Sequence, residues 1–206
     1  IKNMTLDEKI GQLIIAGFKG KTPDEQVKAL IQKYRVGGLI LFKRNTDTAS
    51  QLLSLMNGLK AANANNKIPI FLAVDEEGGD ISRMPGELIN TPASRAVGEK
   101  NDRDFAFGIG SAIGYKIKAF GFNLNFAPVL DIDSNPDNPV IGDRSFGPDE
   151  KIVSSMGIQV MKGLQSQNII SVVKHFPGHG DTSVDSHVGL PSVRKDLDSL
   201  MEFELV

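Results

Sequence analysis

Cysteine is missing from the 206 residues of this chain, which removes disulfides, thiol nucleophiles and cysteine metal sites from the chemistry open to it. An excess of one charge is missing too. Lys and Arg number 23 against 25 Asp and Glu, and the two signs are interspersed, so no basic stripe attracts nucleic acid or anionic lipid. No apolar run reaches the roughly 18 to 20 residues that span a bilayer. No Gly-x-Gly-x-x-Gly follows the first strand-like run and no complete phosphate-loop pattern occurs, so nucleotide binding has no support. Histidine is scarce: there are three, and all fall between Lys174 and His187. Proton-transfer chemistry is thereby concentrated in one short segment, at His175, His179 and His187.

What is present is the composition of a globular domain, with 40% hydrophobic residues and enough chain to bury a sizeable core. Helix starts are marked by capping-box spacing at Thr5 with Glu8, at Thr22 with Glu25, where Pro23 takes the favoured first helical position, and at Thr48 with Gln51. After the last of these, Leu52, Leu53, Met56 and Leu59 recur on one helical face. Strand-like runs occupy 13–18, 36–42, 68–75, 122–131 and 169–174. They are too continuously apolar for a sheet with one wet face, and helical segments separate them, as crossovers separate buried parallel strands. The class read from this pattern is α/β, with residues 1–206 as one domain. Gly37-Gly38 reads as a close approach at a strand start, and the six methionines and eleven phenylalanines read as core.

The third run ends in Val74-Asp75 and leads into Glu76-Glu77-Gly78-Gly79, the fourth ends in Leu130-Asp131 and the fifth in Lys174-His175. Polar groups thus collect at the carboxyl ends of several strands, where parallel α/β folds build their sites. Convergence from several strands favours a closed (β/α)8 barrel over an open sheet with one switch point.

Lys174-His175-Phe176-Pro177-Gly178-His179-Gly180 with Asp185-Ser186-His187 behind it resembles the catalytic barrel of glycoside hydrolase family 3, as do 74–79, Phe126-Ala127-Pro128-Val129-Leu130-Asp131 and the run from Asn138 to Gly147. The resemblance runs through nearly the whole chain and is narrowest to the bacterial β-N-acetylglucosaminidase branch. It implies a (β/α)8 TIM-type barrel, here truncated to about its first five βα units. It also implies retaining removal of terminal β-linked N-acetylglucosamine from cell-wall muropeptides or chito-oligosaccharides, in a bacterium, either in the cytoplasm or secreted. His187 would be the acid/base and Asp185 its orienting partner; residues two apart in extended chain project to one side, which lets the pair form locally. Asp75, Arg144, Lys174 and His175 would bind the sugar through a mixture of acceptors and donors. In an ideal strand Lys174 and His175 would point to opposite faces, so this role requires an irregular backbone there. The resemblance calls for an aspartate nucleophile near the end of a later strand, in a region this sequence does not reach, so the missing barrel strands of the same polypeptide are the expected partner and the isolated segment is expected to be inactive. Asp196-Leu197-Asp198 is not that nucleophile, since it lies at a helix start. No cofactor or metal is implied. One departure from the family pattern is Asp80, where an Arg is common after Gly-Gly.

Simpler roles exist for the same residues. Asp75 also reads as a turn cap, Asp131 and Asp133 as acceptors for loop amides, Arg144 as a structural ion pair, Lys174 as a solvent-exposed cation and His179 as a hydrogen-bonding residue within its loop. A zinc hydrolase barrel would use His175 and His179 with Asp181, Asp185 or His187, but Pro177 and Gly178 break the helix such a pair would need. A non-catalytic sugar-binding barrel is the third reading.

Overall fold

Helices and strands alternate along the chain in a computed structural model that describes residues 2–183, 189–190, 192–193 and 195–205. The chain divides into two units: Ile1–Glu76 with Ser82–Ile89 and Lys116–Asn125, and Glu77–Ile81 with Asn90–Tyr115 and Phe126–Val206.

In the first unit, α1 (Leu6–Gln12), β1 (Ile15–Gly17), α2 (Glu25–Gln32), β2 (Gly38–Leu41), α3 (Ala49–Ala62), β3 (Phe71–Val74) and β4 (Leu124–Asn125) follow one another. All four strands are parallel and pair in chain order, with Ile15 opposite Gly38, Leu39 opposite Leu72 and Val74 opposite Asn125. Leu39, Leu41, Leu72, Ala73 and Val74 are buried, as the continuous apolar pattern demands of strands covered on both faces. The glycine pair works as expected. A Cβ on Gly37 would sit 2.3 Å from the Gln12 carbonyl, and one on Gly38 2.9 Å from the Phe71 Cβ.

The Thr5–Glu8 capping box forms in full. At α2 the start differs from the sequence reading: Asp24, not Thr22, is the N-cap, and its carboxylate accepts from the Val27 amide at 2.9 Å. Pro23 therefore precedes the cap rather than opening the helix. Thr48 caps α3 through the Gln51 amide, but the Gln51 side chain accepts from Asp47 instead of closing the box. Leu52, Leu55, Met56 and Leu59 are the buried face of α3, whereas Leu53 is 45% exposed. The spacing i, i+3, i+4, i+7 selects Leu55 over Leu53. Each such leucine contributes roughly 1.5–3 kcal/mol by burial.

The second unit holds α4 (Ser94–Lys100), most of α5 (Arg103–Phe120), α6 (Glu150–Ser166), β5 (Ile170–Ser171) and α7 (Leu197–Glu202). As expected, Asp196 starts a helix, its side chain accepting from the Ser199 amide. The fourth and fifth strands are shorter than their apolar runs. Pro128 supplies no amide to continue a ladder, and beyond β5 the pairing continues as a parallel bridge between Val129 and Lys174. Phe176 is 87% exposed and so is not core, contrary to the general reading of the phenylalanines.

Helices α5 and α6 touch backbone to backbone through glycines. A Cβ on Gly110 would lie 2.1 Å from the Val160 carbonyl, and one on Gly163 2.3 Å from that of Phe107. Gly108, two residues earlier in α5, has nothing within 4 Å. Gly110→Ala is therefore expected to lower the thermal midpoint through overpacking worth about 1–3 kcal/mol. Gly108→Ala should hold or raise it, by up to about 1 kcal/mol from helix propensity. Thermal unfolding of the two variants checks the pair, and the reverse order would contradict the helix contact.

Candidate active site

Two buried carboxylates organise the polar groups of the second unit. The first is Glu77, whose side chain is 3% exposed. It sits at a turn set by Gly78 (φ +89°) and Gly79 (φ +54°), conformations that glycine adopts without steric cost, and its amide donates to the Ile81 carbonyl at 3.0 Å. Arg144 reaches Glu77 from the short 3-10 turn Gly142–Arg144. Its Nε donates to Oε2 and its Nη2 to Oε1, both at 2.9 Å, the bidentate fork that matches a carboxylate. Lys174 Nζ lies 2.6 Å from the same Oε1. Two of the four residues assigned to sugar binding are thus joined by a carboxylate that the sequence did not single out. Arg144 does form an ion pair, as its simpler reading had it, and Lys174 is not a free surface cation.

The second carboxylate is Asp131, 1% exposed. Its Oδ2 lies 2.6 Å from His175 Nδ1, while Oδ1 accepts from the amides of His179 at 2.7 Å and His175 at 3.3 Å. Asp131 does satisfy loop amides, and it holds a sugar-binding candidate as well. The irregular backbone required here is present, with the 174–175 and 176–177 peptides both cis. Asn138 ties this loop to the 138–147 run: its Nδ2 donates to the carbonyls of His179 and Gly180, and its Oδ1 accepts from Val140 and Ile141. His179 bonds within its loop as expected, Nδ1 lying 2.7 Å from the Thr182 hydroxyl. Asp133 pairs with Arg95.

Burial pushes Glu77 up, but the Arg144 hydrogen bonds and the charge of Lys174 outweigh it and hold the carboxyl below its ordinary value of 4.5. Burial likewise pushes Asp131 up, and the hydrogen bond and charge of His175, with the two loop amides, hold it below 3.8. A depressed folded pKa means that the unfolded state binds more protons in acid, so the stabilisation is complete above the ordinary carboxylate value and is lost as pH falls through the folded one. Thermal stability should therefore fall as pH drops below 4.5, more steeply in the wild type than in Glu77→Gln. Parallel acid limbs in a melting series would contradict this.

In the first unit, Asp75 follows β3 directly and is partly exposed. The next residue, Glu76, is fully buried. The Ser82 hydroxyl lies within 3.0 Å of both its oxygens, the Arg83 amide donates at 2.8 Å, and Lys116 Nζ lies at 2.7 Å. Its own amide and carbonyl pair with the Asn125 side chain. The backbone that carries Asp75 is thereby fixed from the next residue, a device hidden in sequence because its partners come from three separate segments. Asp80 is exposed, and its turn is held by the Gly79 amide donating to the Thr91 carbonyl and by the Asn90 side-chain Nδ2 donating to the Gly79 carbonyl.

A cavity of about 390 Å³ is bounded by Glu77, Gly79, Asp80, Asn138 and Arg144, and one of about 120 Å³ by Asp131, Lys174, His175 and Phe176. Asp185 and His187 lie outside the described residues. Among the described residues no group of three or more His, Asp or Glu is placed to hold a metal ion, and no helix is long and apolar enough to cross a membrane.

Residues 5–206 match the glycosyl hydrolase family 3 N terminal domain. The chain belongs to glycoside hydrolase family 3. Beta-hexosaminidase A of Pseudoalteromonas piscicida is 36% identical, over 98% of this chain and 38% of its own length. A family 3 beta-N-acetylglucosaminidase from Paenibacillus sp. str. FPU-7 aligns with a TM-score of 0.94 at 39% identity, over 98% of this chain and 39% of that one. NagZ from Neisseria gonorrhoeae, in complex with N-trifluoroacetyl-D-glucosamine, aligns with a TM-score of 0.85 at 32% identity, over 93% of this chain and 57% of that one. The α/β class and the barrel portion read from the family 3 motifs are those of these structures. The chain spans between 38% and 57% of these relatives' lengths.

Proposed function

We propose that the polypeptide to which this chain contributes is a retaining exo-β-N-acetylglucosaminidase that hydrolyses terminal β-linked N-acetylglucosamine from cell-wall muropeptides or chito-oligosaccharides. The observation that carries the reading is the joining of Arg144 and Lys174 on the buried carboxylate of Glu77. It fixes two cationic donors in place, so little conformational entropy is lost when they bind sugar hydroxyls. His175 adds a third donor or acceptor and Asp75 an acceptor, the mixture a pyranose needs. The names of the relatives, beta-hexosaminidase and beta-N-acetylglucosaminidase, support the same substrate class.

In the proposed mechanism His187 gives its proton to the glycosidic oxygen as the bond to the anomeric carbon breaks. Asp185 holds the other ring nitrogen and stabilises the imidazolium. A carboxylate from barrel strands beyond these 206 residues attacks the anomeric carbon, and water, deprotonated by His187, then releases the sugar with retention. The partners are thus a small carbohydrate and the remaining strands of the same polypeptide, with no nucleic acid.

The test is hydrolysis of 4-nitrophenyl N-acetyl-β-glucosaminide by the full-length polypeptide, with the β-glucoside as comparison. Turnover of the first at a kcat/KM well above the second is expected. Binding of N-acetylglucosamine without turnover of either would instead favour a sugar-binding barrel.

A further inference from the structure

We propose that Asp131 is a positioning residue for the sugar-binding histidine: it places the neutral ring's proton on Nδ1 of His175 and leaves Nε2 as the atom offered to substrate. The inference rests on the functional reading above for what Nε2 meets, but not for how the ring is held.

An ionised carboxylate only accepts hydrogen bonds. With Oδ2 2.6 Å from His175 Nδ1, the shared proton belongs to the ring nitrogen. That fixes the tautomer, as a second group bound to the far nitrogen does in other histidine sites. The other oxygen, Oδ1, is occupied by two loop amides, so the carboxylate cannot rotate away without leaving buried donors unpaired, a loss on the order of 1–3 kcal/mol each.

Asp131 is itself held. Its carbonyl accepts from the Ser145 hydroxyl at 2.6 Å, and Ser145 is fully buried. The loop that carries the histidines lies against the next residue, for a Cβ on Gly180 would fall 1.6 Å from the Ile132 carbonyl. Lys174 O accepts from Leu130 N at 2.7 Å. The His175 side chain keeps 34% of its surface and faces the cavity of about 120 Å³ that Lys174 also lines. Neighbouring substrate contacts are thus set by different carboxylates, Lys174 by Glu77 and His175 by Asp131.

Asp131→Asn makes the idea falsifiable, because an amide has one acceptor and one donor end. If its oxygen keeps the two backbone amides, its NH₂ must face His175 Nδ1, which moves the ring proton to Nε2 and turns the substrate-facing acceptor into a donor. Binding should suffer more than chemistry. KM for an aryl N-acetyl-β-glucosaminide is expected to rise about ten- to hundredfold, the value of a hydrogen bond to a charged or buried group, with kcat on an activated substrate changed less than about threefold on the same scale.

The direct measurement is ¹⁵N NMR of the histidine rings in the full-length polypeptide, followed upward in pH until the ring shifts stop changing, with His175 assigned by its loss in His175→Gln. The expected result is a proton-bearing Nδ1 in the wild type and a proton-bearing Nε2 in Asp131→Asn. Nε2–H in the wild type would overturn the proposal without any variant, as would an unchanged tautomer in Asp131→Asn. Equal losses of kcat and stability with KM unmoved would reduce Asp131 to a structural role. If the wild type turns over no glycoside, the functional reading fails while the ring signals still decide the role of Asp131.

Discussion

Glu77→Ala should lower kcat/KM toward aryl N-acetyl-β-glucosaminides by at least about a hundredfold, corresponding to about 2.7 kcal/mol of lost transition-state stabilisation, and destabilise the fold by about 3–5 kcal/mol. The side chain is almost wholly buried and carries two cations, Arg144 and Lys174, which are themselves 20% and 14% exposed. Removing the carboxylate takes a shared, buried counter-charge from both cations and breaks the fork that aims Arg144, whose Nη1 keeps its bond to the Val140 carbonyl. Alanine and glutamine separate the two consequences. Glutamine keeps the volume and one acceptor for Arg144 but removes the negative charge that Arg144 and Lys174 share, so it should recover much of the stability while activity stays low. Combining Glu77→Gln with Arg144→Ala should cost much less than the sum of the two, since they belong to one network. Full additivity in both activity and melting temperature would show that Glu77 does not act through these cations.

His187→Ala is expected to have the other large effect, and its size should depend on the leaving group. Departure of a sugar alkoxide needs a proton, so hydrolysis of a disaccharide should fall by about 10²–10⁴-fold, the range typical of general acid catalysis. A dinitrophenolate leaves without help, so glycosylation by that substrate should fall by less than about tenfold on the same scale. Asp185→Ala should follow the same pattern more weakly, through loss of ring orientation. Equal losses across a series of aryl leaving groups would remove His187 from the acid role.

The class of fold and the places of its strands were legible because they rest on local patterns: apolar runs, capping spacings and polar residues at strand ends. Errors arose where a neighbour competed. Asp24 took the cap from Thr22 because an aspartate two residues on reaches the Val27 amide, and Leu53 lost its place on the buried face to Leu55. Strands predicted through 131 and 174 stop at Asn125 and Ser171, since Pro128 interrupts the ladder and the later residues pair through the isolated Val129–Lys174 bridge. The family motifs put forward Asp75, Arg144, Lys174 and His175 as sugar-binding candidates. They did not reveal what holds them, because Glu77 and Arg144 are 67 positions apart, and Asp131 and His175 are 44 apart. A buried carboxylate whose partners lie so far along the chain leaves no periodicity to read. One signal was available: Glu77 and Asp131 stand beside glycines or apolar strand residues at the very ends where polar groups collected.

The stereochemistry of the first product tests the proposed function most directly. ¹H NMR of the anomeric region, recorded within the first minutes of β-N-acetylglucosaminide hydrolysis by the full-length polypeptide, should show β-N-acetylglucosamine first, with the α-anomer growing in only as mutarotation proceeds. Initial release of the α-anomer would contradict a retaining mechanism with an aspartate nucleophile and a His187–Asp185 acid/base pair, and no release of N-acetylglucosamine would contradict the glycosidase itself.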